Sequence, residues 1–195
     1  RKRKAAVHHH ASDLMQAISL ALFHLHSRGW GHHSLKPDNI LIDENFKIRI
    51  VDLSLASRTV CGIRDAVRYA LLEWDIATLF GRKTEIRGTR TCIAPETLQR
   101  KKPTPQTDMY SFGIMAFEMV TGVPPFTART PAELLNKHLR AAPPTAVSLN
   151  PNVSSEMDRV LQRLMQKKPQ QRYRNMRELI TEFSRIKVWK RAAHA

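Results

Sequence analysis

From Ser12 to Arg28 the apolar residues Leu14, Ile18, Leu22 and Leu25 recur at helical spacing, with Ser12 or Asp13 placed to cap the start and Gly29 to end it. Two short β-branched runs follow, Ile40-Leu41-Ile42 and Ile48-Arg49-Ile50-Val51, joined by Asp43-Glu44-Asn45, and this pattern predicts a small hairpin. Residues 53–93 are irregular in pattern, although Ala66 to Phe80 carries enough Leu, Ala and Tyr for a helix. Between Thr107 and Thr121 apolar residues surround the helix on all sides, which predicts the buried axis of the fold, stopped by Gly122 and Pro124-Pro125. Three more helical patterns run from Pro131 to Arg140, Ser154 to Lys167 and Asn175 to Ile186. The fold class is therefore mainly α with a small β-hairpin.

With 195 residues, 42% of them hydrophobic, the chain can bury roughly 70% of its unfolded surface in one core. No apolar run approaches the ~20 residues needed to span a bilayer. Cys61 and Cys92 stand far apart, outside any metal or redox spacing, which points to a reducing, intracellular compartment. The N-terminal Arg1-Lys2-Arg3-Lys4 lacks the apolar stretch of a signal peptide, and the chain reads as a piece of something longer.

Lys and Arg number 32 against 17 Asp and Glu, a formal charge of +15. The basic residues gather at Arg1–Lys4, Arg100-Lys101-Lys102 and Arg159–Arg191, but without an aromatic platform or a reading motif they describe a solvated face rather than a nucleic-acid interface. Only the basic start hints at a nuclear location. His8-His9-His10, His24, His26, His32 and His33 show no metal-ligand spacing.

The chemistry gathers in three stretches: His32-His33-Ser34-Leu35-Lys36-Pro37-Asp38-Asn39, then Asp52-Leu53-Ser54, then Gly88-Thr89-Arg90-Thr91-Cys92-Ile93-Ala94-Pro95-Glu96. In order and spacing they resemble the catalytic loop, D-F-G and A-P-E motifs of protein kinases. The resemblance continues through Thr107-Asp108-Met109-Tyr110-Ser111-Phe112-Gly113, the start of that family's buried helix, and reaches Arg172, where the family has an arginine paired to the A-P-E glutamate, here Glu96. It covers residues 12–187 and is similar to the C-terminal lobe of a serine/threonine kinase, the Leu35-Lys36-Pro37 run favouring that branch.

The resemblance implies a catalytic loop over 32–39, an activation segment over 52–96, a central helix over 107–121 and C-terminal helices over 131–186, between a basic N-terminal segment (1–11) and a basic tail (188–195). It implies ATP and Mg²⁺, with Asn39 and Asp52 as the metal ligands and Lys36 neutralising the transferring phosphate. Thr89 would meet a protein substrate near its acceptor hydroxyl, and His32, Asp108 and Arg172 would be structural. The alternative for Asn39 and Asp52 is that they only cap the loop and hairpin, and Asp38 reads as a solvent-facing loop carboxylate.

The departures matter as much. Ser34 stands where the family has its catalytic aspartate, and a hydroxyl cannot accept a proton at neutral pH. His33 replaces the arginine that pairs with a phosphorylated activation segment. Leu53 and Ser54 replace the Phe and Gly of D-F-G, so Leu53 is expected in an apolar slot and the segment is expected to flip less readily. No G-x-G-x-x-G loop, strand lysine or partner glutamate occurs, which leaves the ATP-covering lobe outside this sequence. These features imply a pseudokinase scaffold or regulatory module that meets other proteins. The alternative is a weakly active kinase completed by an upper lobe lying outside the chain.

Overall fold

A computed structural model describes residues 10–58 and 92–190. The helix expected over 66–80, together with Thr89 and Cys61, lies outside these residues. The first helix, α1 (Ala11–Ser27), begins one residue before the expected cap: His10, stacked on Phe46 at 3.7 Å, holds the N-cap position, while Ser12 and Asp13 sit inside the first turn. Burial of Ala11 explains the shift, because the apolar face extends that far.

Strand β1 (Trp30–Gly31) precedes residues 32–39, and the predicted hairpin forms from β2 (Ile40–Ile42) and β3 (Ile48–Ile50), paired Ile40 with Ile50 and Ile42 with Ile48. Asp43 closes the turn by accepting the N–H groups of Asn45 and Lys47, each at 2.9 Å. Ile40, Ile48 and Ile50 pack on the core, whereas Leu41 faces out. A pairing absent from the sequence pattern joins β1 to β4 (Ser57–Arg58).

A short helix, α2 (Pro95–Leu98), precedes the long α3 (Pro105–Thr121), which starts two residues earlier than the apolar pattern because Pro105 suits the first helical position. Tyr110, Phe112 and Phe117 of α3 are fully buried, as expected of an axis. Helices α4 (Pro131–Arg140), α5 (Ala146–Leu149), α6 (Ser155–Leu164) and α7 (Met176–Phe183) complete the core. The polar residues at the predicted starts of α6 and α7, Ser154 and Asn175, are their N-caps, accepting from Met157 and Glu178 N–H groups. Helix α3 lies against α6 so closely that a Cβ at Gly113 would fall 2.7 Å from Leu164 Cβ.

At the start of the basic tail expected over 188–195, Trp189 bridges Val153, and Lys190 N–H donates to the Asn152 carbonyl at 2.8 Å. Among the described residues no helix is long and apolar enough to cross a membrane.

Candidate active site

Leaving β1, the chain is pinned to α3 through one carboxylate. The backbone N–H groups of His32 and His33 donate to Asp108 at 2.8 and 2.6 Å, and His26 Nε2 from α1 reaches the same group at 2.8 Å. Burial pushes the Asp108 pKa up, but the His26 hydrogen bond and the nearby charges of His33 and His26 prevail and leave it below the usual carboxylate range.

His33 has φ 61° and turns its ring inward, where the side chain is 1% exposed and Nδ1 stands 3.9 Å from Asp108 Oδ1. The ring lies over Gly31, where a Cβ would come within 2.1 Å of it, so this inward position requires glycine. Burial lowers the His33 pKa, with Asp108 pulling the other way. His33 is thus a buried ring.

His32 is fully buried, and its two nitrogens are distinguishable by what surrounds them. Nε2 faces the Val51 carbonyl at 3.1 Å, while the Ser34 N–H donates to Nδ1 at 3.3 Å, which puts the ring proton on Nε2. Ser34 Oγ lies 3.2 Å from Nδ1 and 3.3 Å from the Asp52 carbonyl oxygen. Asn39 ends the 3₁₀ turn of Pro37–Asn39 and donates through Nδ2 to the Ser34 carbonyl at 2.9 Å and to Asp52 Oδ2 at 3.4 Å. Asp38, in that turn, is exposed.

Asp52 follows β3 in the left-handed region, φ 62°, and Ser54 anchors it by donating Oγ–H to Oδ1 at 2.5 Å. That hydrogen bond, assisted by the Lys36 charge and the Asn39 amide, holds the Asp52 pKa below the usual range against the opposing effect of desolvation. Leu53, expected in an apolar slot, is 55% exposed: the 3₁₀ turn over Leu53–Leu55 swings its side chain outward. A cavity of about 20 Å³ lies beneath the loop between Ser34, Lys36, Cys92, Ala94, Thr97 and Ser111. It is large enough for about one water molecule.

Below the site, Arg172 grips Glu96 with two parallel hydrogen bonds, Nη1 to Oε1 at 2.7 Å and Nη2 to Oε2 at 2.8 Å. Both side chains are buried, and Arg172 also donates to the Gln106 and Gln166 carbonyls. Sequence reasoning missed the part played by His26, because only the folded chain brings α1 beside Asp108. It also missed the lock between Ser54 and Asp52, whose only sequence signal is a polar hydroxyl residue two positions after the aspartate.

These features define a protein kinase fold. The family model for the protein kinase domain matches residues 1–183, and the chain belongs to that family. It is 30% identical over 175 residues to a probable serine/threonine-protein kinase of Clostridium acetobutylicum, which covers 90% of this chain and 24% of the relative. Similarity to the serine/threonine-protein kinase PrkC of Bacillus subtilis reaches 27% over 169 residues, 87% of this chain and 24% of that protein. For PknB of Mycolicibacterium smegmatis the figure is 25% over 175 residues, 90% and 25% of the two chains. The chain thus spans about a quarter of the length of these relatives.

Proposed function

We propose that this chain is a serine/threonine-kinase-family module impaired in phosphoryl transfer to other proteins, acting as a pseudokinase scaffold or regulatory element. The observation that carries this reading is Ser34: a hydroxyl occupies the expected base position, hydrogen-bonded to His32 and near the Asp52 main chain. General-base help is worth ~10²–10⁴ in rate, about 3–5 kcal/mol, and a serine does not supply it.

The donors needed for nucleotide handling fit their proposed roles. Asp52, held in its ionised form, stands beside the Asn39 amide, and these two hard-oxygen residues would hold Mg²⁺. Bound there, Mg²⁺ would screen the charge of the ATP phosphates. Lys36, on the same loop, would neutralise the transferring group, and Thr89 would contact a protein substrate or partner. Calorimetric titration with ATP and Mg²⁺ tests this: binding that requires Mg²⁺ and disappears in Asp52→Ala is expected. Strong phosphorylation of a protein substrate by the unaltered chain, lost in Asp52→Ala, would overturn the pseudokinase reading.

The retained cluster of Lys36, Asn39 and Asp52 favours a second reading, a weakly active kinase completed by an upper lobe encoded outside residues 1–195. Adding such a lobe would then produce turnover on substrates, whereas a scaffold would gain only nucleotide affinity.

A further inference from the structure

We propose that Ser34 is itself a phosphoryl acceptor, an activated nucleophile that takes one phosphoryl group from ATP and so modifies the site instead of a substrate. In its choice of ATP as donor the proposal rests on the nucleotide reading above. The nucleophile itself rests on geometry. An activated serine needs a base within hydrogen-bond reach and a third group that orients the base. Ser34 Oγ lies 3.2 Å from His32 Nδ1, and His32 Nε2 is oriented by the Val51 carbonyl at 3.1 Å. The Ser34 N–H, donating to Nδ1 at 3.3 Å, identifies that nitrogen as the one free of a proton and able to take another.

Lys36 lines the same one-water cavity as Ser34, which puts a cationic residue on the loop beside the acceptor. Asn39 clamps the Ser34 carbonyl at 2.9 Å, which fixes the backbone from which the hydroxyl projects. In the step, Ser34 Oγ forms a bond to the γ-phosphorus and the bond from that phosphorus to the bridging oxygen breaks. The nucleoside diphosphate leaves with the bonding pair. The hydroxyl proton passes to His32 Nδ1 and from there to solvent. Because the acceptor belongs to the protein, the reaction stops after one transfer per chain and leaves a phosphate dianion where the family carries a carboxylate.

The test incubates the full chain with ATP and Mg²⁺, and separately with acetyl phosphate, a phosphoryl donor that needs no nucleotide site. Intact mass gives the stoichiometry and peptide mapping the position. Acetyl phosphate is expected to place one phosphoryl group on Ser34, with none in Ser34→Ala, retention in Ser34→Thr, and slowing by about a hundredfold in His32→Gln. Because His32 is buried, circular dichroism checks the fold of that variant, and Ser34→Thr carries the test if it fails to fold. Labelling by acetyl phosphate without nucleotide binding would sink the nucleotide reading and leave the nucleophile standing. ATP binding with no label from either donor, or label spread evenly over other serines, overturns the proposal.

Discussion

Ser54 occupies one oxygen of Asp52: its Oγ–H donates to Oδ1 at 2.5 Å and its N–H approaches the same atom at 3.4 Å. The same contact that keeps the carboxylate ionised competes with any cation for it. Ser54→Gly is therefore expected to tighten Mg²⁺-dependent ATP binding by about fivefold, the equivalent of one hydrogen bond of ~1 kcal/mol. Calorimetry on the two proteins checks this, and equal or weaker binding in the variant would contradict the competition.

The pair formed by Glu96 and Arg172 is buried and bidentate, so removing either partner strands a charge. Glu96→Ala and Arg172→Ala are each expected to lose ~3–5 kcal/mol in urea unfolding. Losses under ~1 kcal/mol for both would mean that the pair is dispensable.

The His33 pKa is depressed in the fold below its ordinary 6.5. The unfolded chain then binds more protons than the native one, so the contribution of His33 to stability is complete above pH 6.5 and is lost as pH falls through the native value. The urea midpoint should decline on acidification below that point, and His33→Gln should flatten the decline. An unchanged slope in the variant would assign the pH dependence to other groups.

Gly113 has no room for a methyl group against α6. Gly113→Ala is expected to cost ~1–3 kcal/mol, because Leu164 and the helix carrying it must shift. Thermal unfolding measures it, and a neutral result would show that the interface between α3 and α6 is loose.

Residues whose roles are set locally were legible. The all-round apolar run of α3 could only be an axis, and the β-branched runs at 40–42 and 48–51 announced the hairpin whose register the structure supplies. Ser154 and Asn175 announced the starts of α6 and α7, since a capping side chain acts on N–H groups two or three residues on. What stayed hidden depends on distance along the chain. The strands β1 and β4 are two residues each, too short for a period, and His26 meets Asp108 only after folding brings them together. Leu53 was misjudged because its type, not its backbone, was read, and the backbone turn decided where it points.

The contact between Arg172 and Glu96 joins residues 76 positions apart. Closing so long a loop costs more entropy than forming the neighbouring helical turns, and Glu96→Ala places the contact after the folding barrier if it speeds unfolding and leaves the folding rate unchanged. A contact made after the barrier retards escape from the native state rather than hastening arrival. The buried pair would then set how long the molecule stays folded, acting as a brake on unfolding while the search for the native state is governed by the helices around α3.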